Sequence, residues 1–358
     1  MGKRHYIIPI FVPHEGCPHD CVFCNQGKIT GENKEIILGP KYKQENKVNS
    51  NFVRKTIEEY IETIGEGDRI LEVSFFGGTF TAIDINKQRE LLAVAKEYKD
   101  KKIIDYIRLS TRPDYIDEFI LDHLKSYKVD IIELGVQSLD KEVLHKSGRG
   151  HGYDEVLKAS KLIKEYGFTL GHQIMVGLPE DTFEKDIETT RESIKMKPDI
   201  CRIYPALTVK NTPMEDMYLE GTYKPYTLEE AVYISAKLYK MYKENNIQVI
   251  RIGLQPTDNI ALGKDIVDGP FHPAFRELVE SSIINENIYN ILKDKSGEVT
   301  IRISNKSVSK LYADKKRYFN ELNKDKAQNC NLKVKVDNSM EVDKINIEVE
   351  SKVYKIDL

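Results

Sequence analysis

The chain has 358 residues, 40% of them hydrophobic and 31% charged, with a formal net charge of −3. That length holds one large core plus an accessory domain, and the near-neutral balance excludes a chain that binds nucleic acid by bulk charge alone. No run of eighteen apolar residues and no cleavable leader is present, and an odd number of cysteines, five, points to a reducing compartment, so a cytoplasmic protein without a membrane partner is expected.

In chain order, a strand signal from Tyr6 to Val12 runs into a loop holding Cys17, Cys21 and Cys24 with the spacing C-x3-C-x2-C. Thiolates this close can turn toward one metal centre, and soft sulfur favours an iron–sulfur cluster or zinc. A cubane held by three cysteines leaves one iron open to a ligand that is not protein. The alternative is a structural zinc with His14 or His19 as fourth ligand. Zinc knuckles usually come as two separated ligand pairs, and here Cys201 and Cys330 are isolated.

Residues 32–50 are polar and read as irregular. Helical periodicity follows at 51–64, 85–99, 114–126, 153–166, 182–195 and 227–245. Strand signals stand between them at Arg69–Phe76, 103–110, Asp130–Val136, Phe168–Val176, Asp199–Tyr204 and Gln248–Leu254. Short strands alternating with longer helices mean βαβ units and parallel strands. Periodicity leaves an open doubly wound sheet and a barrel both standing, and in either the ligands lie at the carboxyl ends of the strands.

After Gln255 the rhythm changes: Pro256–Asn259 breaks the pattern, a loop through Pro273 leads to a helix at 274–281, and a small α+β region follows. That region is expected to hold a strand at Val299–Ser304, a Lys-rich helix at 307–322, and strands at Leu332–Val336 and Ile345–Glu350. The expected division is a barrel over 1–255 and an accessory region over 256–358. From 297 onward there are 13 Lys+Arg against 10 Asp+Glu, a balance of +3.

Several clusters end strands. Gly77 and Gly78, before Thr79, let backbone approach a ligand closely. Glu133, Gly135 and Gln137 share one strand face, where buried polar groups cost several kcal/mol unless satisfied. Ser110, Thr111 and Arg112 end the third strand, and Met175, Val176, Gly177, Leu178 and Pro179 the fifth. Arg202 and Tyr204 share a face, as do Arg251, Gly253 and Gln255; the two arginines could meet a substrate anion or a barrel acid such as Glu133.

The cysteine loop, with Phe23 before its last cysteine, resembles the signature of the radical S-adenosylmethionine (SAM) enzymes. The resemblance implies a partial (β/α)6 TIM-like barrel, here with a small C-terminal α+β extension. It implies a [4Fe–4S] cluster on Cys17, Cys21 and Cys24, with SAM chelating the open iron and Phe23 near the adenine. An electron donor such as flavodoxin or ferredoxin would reduce the cluster, and SAM would cleave to methionine and a 5′-deoxyadenosyl radical. Gly77, Gly78 and Thr79 resemble the family's Gly-Gly-Glu motif, with Thr79 in place of the acid.

Glu133 to Asp140 with Arg149, Gly150 and His151 resembles the subgroup of the Elongator catalytic subunit and the oxygen-independent coproporphyrinogen oxidases. That resemblance implies SAM contacts at Gln137 and Arg149, at Ser110, and at the backbone of Val176 in the Gly-Leu-Pro turn; His151 reads as structural. Gln173 stands where the coproporphyrinogen enzymes have Asp. His272 to Val279 resembles the end of Elongator's radical SAM half. The subgroup implies tRNA as partner and a tRNA base as substrate, without acetyl transfer, since the Elongator protein continues into an acetyltransferase domain. Two alternatives stand: a small tetrapyrrole-like or peptide substrate, and a non-catalytic cluster- or RNA-binding protein.

Overall fold

The structure, a computed structural model, describes residues 3–12, 17, 19, 21–25, 48–65, 67–254, 261–326, 328–342 and 344–357. His14, Gln255, the break at Pro256–Asn259 and nearly all of the expected irregular segment 32–50 lie outside the described residues.

The N-terminal elements are β1 (Arg4–Val12), α1 (Ser50–Ile64), β2 (Arg69–Gly77), α2 (Ile85–Asp100), β3 (Tyr106–Thr111), α3 (Glu118–Ser126) and β4 (Ile131–Gln137). Next come α4 (Lys141–Lys146), α5 (Tyr153–Glu165), β5 (Thr169–Val176), α6 (Phe183–Lys195), β6 (Ile200–Pro205), β7 (Thr208–Val209), α7 (Pro213–Leu219), α8 (Leu228–Glu244) and β8 (Gln248–Ile252). The remainder is β9 (Ile266–Asp268), α9 (Phe275–Leu292), β10 (Gly297–Ile303), α10 (Val308–Leu311), α11 (Ala313–Lys326), β11 (Cys330–Val336), β12 (Lys344–Val349) and β13 (Lys352–Asp357).

Seven parallel strands in the order β1-β2-β3-β4-β5-β6-β8 form one sheet, curled into a half-barrel whose edges, β1 and β8, do not pair with each other. Alternation along each strand sorts the two faces. Ile8, Ile10, Leu71, Val73, Phe75, Ile107, Leu109, Ile132 and Leu134 are fully or almost fully buried and pack outward with helix residues such as Val53 and Ile57. The intervening positions, among them Glu72, Arg108, Glu133, Gln173 and Arg202, share the concave face.

Side-chain caps set the helix starts. Asn49 accepts the Phe52 N–H at 2.9 Å, opening α1, and Asp117 accepts the Ile120 N–H at 2.8 Å. The second cap corrects the expected helix at 114–126: Pro113–Tyr115 is a single 3-10 turn, and α3 starts only after Asp117. The Lys-rich helix expected at 307–322 is broken into α10 and α11, and Asp314, Lys315 and Lys316 take left-handed backbone angles that kink the first turn of α11. Among the described residues, α4, α7, the β7–β9 ribbon and β13 were not expected from periodicity.

The small sheet runs β11-β10-β12-β13. α9 joins it to the half-barrel. Its Phe275, Leu278 and Val279 pack with Ile252 and Leu238, whereas its Ile284, Ile288 and Leu292 pack with Val299, Ile301 and Ile347.

Candidate active site at the carboxyl edge of the half-barrel

The cysteine loop follows β1 and is tied to elements after β4 and β6. Val22 donates its N–H to the Ser147 carbonyl at 3.1 Å and accepts from the Met214 N–H at 3.0 Å. Asn25 Nδ2 donates to the Lys210 carbonyl at 3.1 Å. The His19 ring lies against Gly150, where a Cβ would approach it to 2.3 Å, so only glycine fits there. Phe23 packs with Val143, Leu178 and Ala206 at the mouth of β5 and β6. Cys17, Cys21 and Cys24 form no disulfide, Cys21 being buried and the other two half-buried.

The Cys17 and Cys21 sulfurs accept hydrogen bonds. Thr79 Oγ1 donates to Cys17 Sγ at 3.6 Å, so the side chain that replaces the family's acid is engaged with a cysteine. Arg149 Nη1 donates to Cys21 Sγ at 3.5 Å. Its Nη2 donates to the Gly135 carbonyl at 2.5 Å and its Nε to His151 Nε2 at 3.0 Å. The last bond needs a neutral His151 with the proton on Nδ1. Burial, with Arg149 and Arg112 alongside, pushes His151 down to about 4, in agreement.

Gly135 makes room for this arrangement: a Cβ there would stand 2.7 Å from Arg149 Nη2 and 3.1 Å from Gln137 Nε2. Gln137 ends β4 at φ 66°, a conformation costly for a non-glycine residue and typical of functional sites. Its Oε1 is buried and has no donor. Arg112 is 2% exposed; it donates to Asp114 at 2.9 and 2.8 Å and leaves Nη1 buried without an acceptor. Burial opposes its charge, which Asp114, Cys21 and Cys17 support.

Gly77 has a local cause: a Cβ would stand 2.0 Å from the Val12 carbonyl, so β2 can end beside the cysteine loop only with glycine. Gly78 follows in a half-buried bend. Ser110 accepts from Gln173 Nε2 at 3.2 Å. Val176 turns its side chain into the core and its carbonyl accepts the Ala206 N–H at 2.9 Å.

Beneath this mouth lies a saturated polar layer. Glu133, 1% exposed, accepts from Arg202 Nε at 2.7 Å and Nη2 at 3.0 Å, from Gln173 Nε2 at 2.9 Å, and from Arg108 Nη1. Arg108 also donates to Glu72 at 2.6 and 2.8 Å. Burial would push the Glu133 carboxyl up, but Arg202 and Arg108 outweigh it and hold it below the usual range. Arg202 is thus answered by a barrel acid. Arg251 Nε donates to the Gly253 carbonyl at 3.2 Å. Phe76 carries the Arg202 guanidinium 5.6 Å from its ring centre, with Phe11, 43% exposed, at 6.1 Å on the open edge.

The turn after β5 has a backing that sequence reading missed. Tyr223 OH donates to the Gly177 carbonyl at 2.7 Å, and the Tyr226 ring is so close that a Cβ on Gly177 would meet it at 2.7 Å. Tyr226 OH donates to Asp186 Oδ2 at 3.0 Å. Asp181 Oδ2 and Asp186 Oδ1 are both sealed from solvent with no donor. Burial pushes Asp181 up to about 6, and burial with Asp181 nearby raises Asp186 well above its usual value.

Among the described residues no three His, Cys, Asp or Glu side chains gather on a single metal ion. A cubane makes a different demand, since each thiolate takes its own iron. Three cysteines outside any disulfide, with the Cys17 and Cys21 sulfurs accepting O–H and N–H bonds and with a buried arginine N–H and a glutamine oxygen left over nearby, fit an anionic cluster and a zwitterionic ligand.

The radical SAM superfamily pattern matches residues 11–194, more than half of the chain, and the radical SAM C-terminal domain matches residues 198–285. The chain belongs to the radical SAM superfamily. It is a radical SAM enzyme, and membership implies SAM and a [4Fe–4S] cluster. It is 28% identical over 255 residues to the tRNA uridine(34) acetyltransferase of Methanocaldococcus jannaschii, covering 64% of this chain and 47% of that one. It is 25% identical over 261 residues to Elongator complex protein 3 of Bos taurus, covering 63% and 47%. The structure resembles Methanocaldococcus infernus Elp3 lacking residues 1–46, with a TM-score of 0.61 and 23% identity, over 80% of this chain and 64% of that one; this likeness concerns the fold. The radical SAM chain spans about half the length of the curated relatives it matches, 47% and 51% of the first two. Among the described residues no helix is long and apolar enough to cross a membrane.

Proposed function

We propose that this radical SAM enzyme acts on a base of tRNA in the cytoplasm, with Cys17, Cys21 and Cys24 holding a [4Fe–4S] cluster reduced by a flavodoxin- or ferredoxin-like donor. When bound, the cluster and SAM together supply a carbon-centred radical able to take a hydrogen atom from substrate. The chain's own residues bind and orient. Arg149 and Thr79 donate to the cysteine sulfurs. Phe23, Gly77, Gly78, Ser110, Gln137 and Val176 line the carboxyl edge around them, with Thr79 and Arg149, as the SAM pocket. Residues 1–255 form the catalytic half-barrel and 256–358 an accessory region carrying a net +3 over 297–358, from 13 Lys+Arg and 10 Asp+Glu.

The observation that carries the enzyme reading is the pair of donors aimed at Cys17 and Cys21. The substrate reading rests on relatives named as tRNA uridine(34) acetyltransferases, and Phe11 with Phe76 offers a flat base a surface for stacking. Acetyl transfer is outside the proposal. The test is 5′-deoxyadenosine formation by anaerobically reconstituted protein with dithionite, with and without bulk tRNA. Product that rises with tRNA and vanishes in Cys21→Ala supports the reading. Product indifferent to tRNA moves the substrate to small molecules, and no product from a loaded cluster overturns the enzyme.

A further inference from the structure

We propose that Arg149, beyond any contact with SAM, sets the reduction potential of the cluster through its N–H···S bond to Cys21, and that His151 is the positioning residue that holds it there. This rests on the cluster assigned above to Cys17, Cys21 and Cys24.

The geometry is specific. Arg149 is 7% exposed, and no carboxylate pairs with it among the described residues. Each of its three nitrogens has one acceptor: Cys21 Sγ at 3.5 Å, the Gly135 carbonyl at 2.5 Å and His151 Nε2 at 3.0 Å. Two of these partners carry no charge, so with the cluster bound the anionic group facing the guanidinium is the ligating Cys21 sulfur. The other buried arginines differ: Arg108 and Arg202 pair with Glu72 and Glu133, and Arg112 with Asp114. A guanidinium needs a planar set of acceptors to stay in one orientation. His151 on Nε and Gly135 on Nη2 supply two fixed points, and Nη1 is thereby aimed at Cys21.

The electrostatics give the sign. Reduction adds one electron, drawn from an external low-potential donor, and one negative charge to the cluster and its thiolates. A buried positive charge and an N–H bond to a ligating sulfur stabilise the more negative state, and hydrogen bonds to sulfur with local charge are among the levers that set such potentials. Low solvent exposure strengthens the effect. Arg149 therefore makes the cluster easier to reduce. Loss of its charge makes it harder, and loss of its orientation has a smaller effect of the same sign.

The test is a mediated redox titration of the reconstituted protein without SAM, followed by electron paramagnetic resonance of the reduced cluster. Iron and sulfide content are measured first, and a wild type that loads no cluster would sink the proposed function itself. Arg149→Met is expected to lower the equilibrium constant for reduction at least tenfold, about 59 mV for one electron. Arg149→Lys keeps the charge without the fork and should fall between the two. His151→Leu should shift the midpoint in the same direction by a smaller factor, and His151→Gln, whose amide oxygen can accept from Nε, should recover it. If Arg149→Met loads poorly, Arg149→Lys and the two His151 variants carry the test. Variants that load normally, with midpoints equal to wild type, would overturn the inference, even if they bind SAM weakly, because that pattern confines Arg149 to SAM.

Discussion

The floor and the mouth of the half-barrel both hold buried arginines and treat them differently. On the floor, Arg108 and Arg202 face Glu72 and Glu133, two cations against two anions, with Gln173 donating to a remaining Glu133 lone pair. At the mouth, Arg149 donates to a sulfur and Arg112 keeps an N–H with no acceptor, while Gln137 keeps an oxygen with no donor. A balanced network fixes a shape, whereas unspent donors and acceptors beside thiolates leave capacity for another group. The comparison teaches where structure ends and binding begins. Arg202, equally able on sequence alone to bind a substrate anion, belongs to the floor.

The largest test breaks the floor. Glu133→Ala leaves Arg108 and Arg202 facing each other without their shared carboxylate, which costs about 3–5 kcal/mol when one partner of a buried ion pair is removed. A urea titration of the cluster-free protein should show that loss, and a change below about 1 kcal/mol would mean that the layer is not structural. Gly135→Ala tests the boundary between the two regions. Its Cβ would stand 2.7 Å from Arg149 Nη2, so overpacking should cost about 2 kcal/mol and move Arg149 off Cys21. The second effect should lower the midpoint of the loaded cluster; an unmoved midpoint would show that the guanidinium adapts in place.

How much of this could be read from residues alone divides along the same line. All seven barrel strands, the cysteine loop and the glycine turns follow from local periodicity and spacing, because each is decided within a dozen neighbours. The partner of Arg202 is not local: Glu133 lies 69 positions away. Equally invisible were the engagement of Thr79 with Cys17, the tautomer of His151 and the closeness of Asp181 to Asp186 behind Gly177. α4 and α7, of six and seven residues, are too short to show a helical period.

The carboxyl pair behind the β5 turn gives a test with a defined pH sign. Folding raises Asp181 from 3.8 to about 6 and raises Asp186 as well, burial being the main cause of both. The pair therefore stabilises the fold in full below the unfolded value of 3.8, and that contribution is lost as pH rises through about 6. Asp186→Asn removes one of the two titrating carboxyls and leaves an amide that can donate toward Asp181. The decline in unfolding free energy across that window should shrink by about 2 kcal/mol. An unchanged slope in chemical denaturation would mean that both carboxyls are ionised in the folded state.

Thr79→Val is the smallest and most selective change. Valine keeps the shape of threonine and removes only the hydroxyl that reaches Cys17 Sγ at 3.6 Å. A bond this long contributes under about 1 kcal/mol to folding, so the urea midpoint of cluster-free protein should stay close to wild type. The loaded protein should nevertheless lose iron to a chelator several-fold faster, because the hydroxyl supports the sulfur in its anionic, ligating form. Floor residues are expected to show the reverse, large effects on unfolding and little on iron retention in whatever protein folds. If Thr79→Val instead unfolded easily and held its iron as wild type does, sulfur bonding at the mouth would be part of the scaffold, and the division between floor and mouth would fail at the residue chosen to expose it.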